Sequence, residues 1–191
     1  MIMARTRLQR VFSFIAVIAL ASALAIQVAN IYESYRTADV VNGLRLHGLK
    51  AMTQDQLRET VDTNHLVVYW AGPEKGATYL LDTVEANVAV LTILPPGIDP
   101  KQTRASRPQI ATYDVKDAFQ AVLTGGGNPD VAGFINADGN SVFYSRLDPK
   151  NVFVGVRGRD VELQIFDPSP GVSLAIARER GRLRPISKSD R

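Results

Sequence analysis

Few side chains in this chain have the types and spacing that catalysis requires. Histidine occurs twice and cysteine is absent, so imidazole bases are scarce and thiol chemistry is excluded. His65 follows Asp62, and a Ser–His–Asp triad around it would need Ser141 or Ser145 from a distant part of the chain. Neither a Gly-x-Ser-x-Gly elbow nor a Ser-x-x-Lys motif is present. We therefore assign no catalytic residue and predict no enzyme, with a secreted hydrolase using His65 as a minor alternative.

Ligands for metals and phosphates are also sparse. The segment 136–141, Asn-Ala-Asp-Gly-Asn-Ser, offers several oxygen atoms but lacks the spacing and the distal glutamate of an EF-hand loop. Its residue types favour a hairpin turn. The glycines at 125–127 follow a predicted helix and do not precede one, so they do not make a phosphate cradle at a helix N-terminus. We predict neither a metal site nor a cofactor.

Four arginines near the C-terminus are the one candidate binding surface. Arg178, Arg180, Arg182 and Arg184 alternate with period two. On a strand they would line one face and could bind anionic lipid headgroups or an anionic envelope polymer. The alternative is a solvated tail without a ligand.

The charge distribution argues against a nucleic-acid partner. The chain has a formal net charge of +3 at pH 7. Residues 32–177, however, hold 13 basic and 17 acidic side chains, and the excess of positive charge lies at the two ends. A mildly acidic body does not provide the basic surface that phosphate backbones require.

The N-terminus has the pattern of a membrane anchor. Arg5, Arg7 and Arg10 precede residues 11–32, a run of 22 residues without any charge. A helix of that length spans about 30 Å, the thickness of the hydrocarbon core of a bilayer. The positive-inside rule then places residues 1–10 in the cytoplasm and the remainder outside it.

A cleaved signal peptide is the alternative reading of this segment. The arginines would form its basic region, and Ala23-Leu24-Ala25 would provide a cleavage site after residue 25, which would leave a secreted or periplasmic protein. Ile26, Val28 and Ile31 continue the apolar run past this site, and they favour the anchor. Residues 33–52 then form a helical stalk or linker.

Two short helices and a series of strands are predicted after residue 52. Thr53 and Gln56 fit a capping box that starts a helix ending near residue 63, and Asp114 caps a second helix over 114–123. Residues 97–110 read as an exposed loop. Alternating or continuous apolar runs predict strands over residues 66–70, 78–84, 88–94 and 172–177.

Two hairpins can be predicted with their register. Asp138-Gly139 indicates a type I′ turn, which pairs Phe134 with Phe143 and Ile135 with Val142. Gly158-Arg159 suits a type II′ turn. That turn pairs three further sets of apolar residues on one face of the sheet: Val156 with Val161, Val154 with Leu163, and Val152 with Ile165.

These patterns predict an α+β protein: an N-terminal transmembrane helix followed by a mainly antiparallel β domain with two short helices. The extracytoplasmic domain would cover residues 53–184, and residues 185–191 would be a disordered tail. The function expected is that of a non-enzymatic accessory, scaffold or protein-binding subunit of a cell-envelope or membrane complex. The alternatives are a module that binds an anionic envelope ligand or lipid surface through the C-terminal arginines, and the hydrolase using His65.

Overall fold

The structure is a computed structural model that describes residues 49–83, 87–98, 107–125 and 130–187. The predicted cytoplasmic arm, the predicted anchor and the predicted stalk up to residue 48 lie outside the described residues. All the described residues belong to one compact unit. Within these four ranges no helix is long and apolar enough to cross a bilayer.

The described residues form three helices and nine strands. The helices are α1 (Gln54–Thr63), α2 (Ala118–Thr124) and α3 (Val172–Arg178). The strands are β1 (Tyr69–Trp70), β2 (Thr78–Asp82), β3 (Val88–Leu94), β4 (Gln109–Asp114), β5 (Val131–Ile135), β6 (Ser141–Ser145), β7 (Asn151–Gly155), β8 (Val161–Phe166) and β9 (Arg184–Pro185). The prediction of a mainly antiparallel β domain is confirmed, with three helices where we predicted two.

Seven of these strands make one antiparallel sheet in the order β2-β3-β4-β8-β7-β6-β5. It consists of two meanders, β2 to β4 and β5 to β8, which are joined where β4 pairs with β8. Strands β1 and β9 form a separate two-stranded sheet.

One face of the large sheet, here called the core face, carries the buried apolar side chains. They form two clusters, and Ile110 of one cluster is the cross-strand neighbour of Leu91 of the other, so both clusters lie on the same face. Helix α1, helix α3 and the β1–β9 pair contribute buried residues to these clusters and cover this face. The opposite face is called the α2 face, because α2 packs there directly over Gly155.

Helix α1 begins as predicted. The side chain of Thr53 accepts a hydrogen bond from the backbone of Gln56 at 3.3 Å, and the side chain of Gln56 accepts one from the backbone of Thr53 at 2.9 Å. This reciprocal pair satisfies two backbone donors that the first turn leaves free. Leu57 and Val61 are then buried one turn apart against the core face.

Strand β4 was not predicted from the sequence. Residues 109–114 form an interior strand of the sheet, between β3 and β8, although we expected a loop followed by a helix capped by Asp114. Asp114 instead ends β4, and α2 begins at Ala118 after Asp117, which has a φ of 56° and makes no side-chain capping bond. The apolar run of β4 is short and has the polar Gln109 at its start, so the pattern alone did not reveal it.

Strand β1 is shorter than predicted, and the chain after it is more ordered. We expected an interior strand over 66–70, but only Tyr69 and Trp70 pair, with Pro185 and Arg184 of β9. The N–H of Ile186 donates to the carbonyl of Val68 at 2.8 Å, and Ile186 is buried. The predicted disordered tail of 185–191 is therefore corrected for residues 185–187, and residues 188–191 lie outside the described residues.

The predicted strand over 172–177 was wrong, because these residues form α3. Gly171 has a φ of 84° and precedes the first turn. Ser173 and Ala177, four residues apart, are both fully buried, and Ser173 donates to the carbonyl of Lys150 at 2.7 Å. The alternation of apolar residues in this short segment fits a strand and a helix equally well.

The register of the β7–β8 hairpin is confirmed. Val154 pairs with Leu163 and Val152 with Ile165, and all six of the residues named for this hairpin are buried in one cluster. The turn differs from the predicted type II′. The N–H of Arg159 donates to the carbonyl of Val156, which places Gly158, with a φ of 71°, at the second central position.

The predicted β5–β6 register was wrong by one residue. Phe134 pairs with Val142, and Ile135 pairs with Ser141. Only the glycine of the Asp-Gly pair has a positive φ (81°), and its N–H donates to the carbonyl of Asn136, which fits a three-residue loop with a glycine bulge in place of a type I′ turn. The buried side chain of Asn136 stabilises this loop by accepting from the backbone N–H groups of residues 138 and 140.

We predict that Gly155→Ala destabilises the domain by about 1–3 kcal/mol, the usual cost of overpacking. A Cβ atom at this position would lie 2.5 Å from the carbonyl oxygen of Ala118 and 2.7 Å from the Cα atom of Phe119, both of which are backbone atoms of α2. Urea unfolding followed by the fluorescence of Trp70, the single and fully buried tryptophan, measures the effect.

Gly125→Ala is the matched control at the other end of α2. Its Cβ would be 3.5 Å from the ring of Phe143, an ordinary contact, and the backbone there is right-handed. We expect a change within about 0.5 kcal/mol. Equal unfolding midpoints for both variants would contradict the close packing of α2 on Gly155.

Candidate functional site

The described residues enclose a pocket of about 500 Å³ at one end of the core face. The start of β3, the end of β4 and the start of β8 meet there, together with the segment that leads into β1. The lining comprises one histidine, two aspartates and mainly apolar or uncharged groups: His65, Leu66, Val67, Thr83, Asn87, Val88, Ala89, Thr112, Tyr113, Asp114, Asp160 and Val161.

The end of α1 determines the position of His65. The N–H of His65 donates to the carbonyl of Asp62 at 3.2 Å, and the N–H of Leu66 donates to that of Val61 at 2.9 Å. These two bonds form a Schellman motif, and His65 occupies its left-handed position with a φ of 52°. Glycine is the usual residue there, so the unusual backbone of His65 is explained by helix termination.

The polar groups of the pocket also serve the fold. The Asp160 carboxylate accepts a hydrogen bond from the N–H of Asp117 at 3.0 Å and so stabilises the turn before α2. The hydroxyl of Thr112 accepts from the N–H of Tyr69 at 3.0 Å. Across the described part of the chain, no three histidine, aspartate or glutamate side chains are grouped so that they could hold a metal ion.

The structure does not bring His65 together with either candidate serine. Ser141 is fully buried, and its hydroxyl donates to the carbonyl of Phe119 at 2.7 Å beneath α2. The hydroxyl of Ser145 accepts from the backbone N–H of Leu147 at 3.3 Å. Neither serine lines the pocket that contains His65, so the triad considered from the sequence is not assembled.

A row of polar side chains, not predicted from the sequence, crosses the α2 face. The Tyr113 hydroxyl donates to the side-chain oxygen of Gln164 at 3.0 Å, and the Gln164 amide donates to Asn151 at 3.1 Å. Glu162 lies on the same face, opposite Tyr113 on one side and Gly155 on the other. Burial raises the pKa of the Glu162 carboxyl from 4.5 to about 7.

The four arginines do not share one strand, so the geometric premise of the candidate anionic surface was wrong. Arg178 ends α3 and lies over the ring of Phe134 at 5.3 Å, and Arg180 donates to the carbonyl of Ala137 at 3.3 Å. These two therefore flank the β5–β6 hairpin. The other two point elsewhere: Arg182 pairs with Glu179 at 3.8 Å, and Arg184 belongs to β9 and lies against Gly72.

Strand β5 forms one edge of the large sheet, and its outer side is unpaired within the described residues. The N–H of Asn136 donates to the carbonyl of Asn140, and the N–H of Arg146 donates to that of Asp130, which fixes the positions bonded towards β6. In an antiparallel pair these positions alternate. The backbone N–H and C=O groups at 131, 133 and 135 therefore point away from β6.

The residues of this edge are unusually apolar for an unpaired strand. Val131-Ala132-Gly133-Phe134-Ile135 contains no charge and no proline, the two features that commonly protect sheet edges. Ile135 is 49% exposed, and Leu147, just after β6, is 81% exposed. Two arginines from other elements contact this strand: the Nε of Arg146 donates to the carbonyl of Val131 at 3.3 Å, and Arg178 lies over the ring of Phe134.

Sequence reasoning missed Glu162 and the β5 edge for different reasons. Glu162 lies between the apolar Val161 and Leu163, and this alternation predicts an ordinary solvent-facing position for it. Its burial is evident only from the fold. The β5 edge could have been suspected from the uncharged run 131–135, but which strands lie at an edge depends on the long-range pairing of β4 with β8.

Comparison with known proteins adds no relative: no protein-family model, no curated protein and no solved structure matches this chain.

We predict that His65→Gly raises the free energy of unfolding by about 0.5–1 kcal/mol. The left-handed conformation costs a non-glycine residue roughly 1–2 kcal/mol of strain, which glycine removes. Part of this gain in stability is offset, because glycine has greater conformational entropy in the unfolded chain. His65→Ala is the control, since it removes the imidazole but keeps the strain. If both variants have the same stability, the backbone explanation fails.

We predict a pH-dependent stability that originates at Glu162. Between pH 4.5 and about 7 the folded protein holds a proton that the unfolded chain has released. The free energy of unfolding therefore falls as the pH rises through this window, by up to about 1.4 kcal/mol per unit. Glu162→Gln removes this fall and is about 3 kcal/mol more stable than the wild type above pH 7.

Urea unfolding of the wild type and of Glu162→Gln at several pH values tests this, because all other titrations cancel in the difference between the two proteins. A difference that stays constant from pH 4 to pH 8 would show that the carboxyl is not buried in its protonated form.

Proposed function

We propose that this chain is a single-pass membrane protein with a cytoplasmic N-terminus and an extracytoplasmic domain. We propose further that it acts as a non-enzymatic accessory or scaffold subunit of a cell-envelope or membrane complex, and that its domain binds other proteins. The observation that carries this proposal is the exposed, uncharged outer edge of β5.

The anchoring part of the proposal rests on the N-terminal sequence. Arg5, Arg7 and Arg10 followed by the uncharged residues 11–32 are typical of a signal anchor that retains its basic end in the cytoplasm. An anchored domain is held at the membrane surface, where its partners are other membrane or envelope components.

The protein-binding part rests on the chemistry of the β5 edge. An unpaired strand offers a row of backbone donors and acceptors, and an extended segment of another protein can satisfy them by adding one more strand. Ile135 and Leu147 supply exposed apolar area near the two ends of this edge. By contrast, the imidazole in the pocket has no serine beside it, so the geometry gives less support to a hydrolase.

We predict that Ile135→Arg removes the protein partners of the full-length chain. The substitution places a charge on a half-exposed position of the edge, where it costs little folding stability but opposes the addition of an apolar strand. The tagged chain is purified from membranes in mild detergent, and its stoichiometric partners are identified by mass spectrometry.

Val67→Arg is the matched control, because Val67 is, like Ile135, an exposed β-branched residue (55%), but it lines the pocket and does not lie on β5. The proposal expects the wild type and Val67→Arg to retain the same partners, and Ile135→Arg to lose them. An identical partner set in all three, or recovery of the wild-type chain alone with no partner copy bound to it, overturns the proposal.

A further inference from the structure

We infer that the outer edge of β5 pairs with the same edge of a second copy of this chain, in an antiparallel arrangement centred on Gly133. This inference rests on the proposed protein-binding function and names its partner. The result would be a two-fold dimer with a continuous sheet through both copies.

The hydrogen-bonding register of the edge is self-complementary. With the two-fold axis at Gly133, Gly133 faces Gly133 of the second copy, and Val131 faces its Ile135. These are the three positions whose backbone groups point outward, since the bonds at Asn136 and Asp130 are directed towards β6. Every outward donor on one copy therefore meets an outward acceptor on the other. Six hydrogen bonds result, and Arg146 competes for the two that use the Val131 carbonyl.

The side chains agree with this register. On the α2 face, Val131 lies beside Ile135 of the second copy, and on the core face Ala132 lies beside its Phe134. At the axis itself Gly133 has no side chain, and a glycine within a strand often marks the close approach of another backbone.

The distribution of charge favours a second copy over an unrelated peptide. A two-fold axis places each residue near its own equivalent, so a charged residue of β5 would meet a like charge. The five residues of β5 carry none, and the two arginines that contact the strand, Arg146 at Val131 and Arg178 at Phe134, come from other elements. At the ends, Asp130 would lie opposite Asn136 of the second copy, whose hairpin has the basic Arg180 beside Ala137 and the acidic Asp138 beside Gly181, so charges of both signs meet there.

The expected interface is small, which connects this inference to the membrane anchor. The surface area buried by pairing one five-residue edge is smaller than the roughly 1,200–2,000 Å² that a stable interface in solution usually buries. Two copies tethered in one membrane meet at a high effective concentration, and a modest interface is then sufficient. The dimer should therefore be sought in membranes.

The absence of cysteine from the chain makes thiol cross-linking a clean test. Cα atoms of a hydrogen-bonded antiparallel pair lie about 5.5 Å apart, within the span of a disulfide. In membranes that contain the full-length chain, mild oxidation of Gly133→Cys should give a covalent dimer on a non-reducing gel. Val67→Cys, an exposed position away from β5, sets the level that random collision produces.

Two further variants test the register and leave Gly133 intact. Val131→Cys and Ile135→Cys should each fail to cross-link with themselves, because their equivalents lie about 13 Å apart across the axis, four residues along the strand. Expressed together, they should form a mixed dimer. No dimer above the Val67→Cys level from either Gly133→Cys or the mixed pair overturns the inference, as does equal self-cross-linking at 131, 133 and 135.

The outcome separates this inference from the proposed function. If no cross-link forms but Ile135→Arg still removes other proteins from the purified chain, the edge binds proteins and the second copy is not its partner. If neither effect occurs, both the inference and the proposed function are wrong.

Discussion

The pairing of β4 with β8 is the constraint on which the rest of the structure depends. Six residue pairs join Gln109–Asp114 to Val161–Phe166, two segments separated by some fifty residues of sequence. This contact joins two local meanders into one seven-stranded sheet. On its core face, Ile110, Leu163 and Ile165 are almost completely buried, so the joint itself lies in the hydrophobic core. Burial of each such side chain stabilises the fold by about 1.5–3 kcal/mol.

The candidate sites follow from this joint. The Asp114–Val161 pair at one end of the joint lines the pocket, and on the α2 face of the joint Glu162 lies opposite Tyr113. By joining the last strand of each meander, it also leaves the first strands, β2 and β5, as the two edges of the sheet. The β2 edge is partly protected, because Met52 and Tyr79 exchange two backbone hydrogen bonds of 2.9 Å. The β5 edge has no equivalent within the described residues, and this asymmetry is why we place the binding surface there.

The features that could be predicted from the sequence are those determined by interactions between residues close together in the chain. The capping box of α1 and the β7–β8 register were correct, since each involves residues close in sequence with a consistent apolar pattern. The β5–β6 register failed by one residue because Asp-Gly suits more than one turn, and the buried side chain of Asn136 decides between them. Segment 172–177 was too short for its periodicity to distinguish a strand from a helix.

The candidate site was less predictable than the fold. Burial of Glu162 and exposure of Ile135 both depend on which strands become neighbours, and that information is not present in the local sequence. The arginine pattern was visible, but its meaning depended on a strand that does not form, since Arg178 ends a helix and Arg184 lies in β9. His65 was considered as a potential catalytic base. The feature that the structure explains is its left-handed backbone, which terminates α1.

Hydrogen–deuterium exchange at single-residue resolution, on the full-length chain in membranes or nanodiscs, tests the central claim most directly. The amides of Ala132 and Phe134 point towards β6 and should be protected in any state of assembly. Our account predicts that the outward amides of Gly133 and Ile135 are protected as well, and that they lose this protection in Ile135→Arg. Rapid exchange at Gly133 and Ile135 in the wild type, beside slow exchange at Ala132 and Phe134, would show an edge that no other chain occupies and would contradict the account.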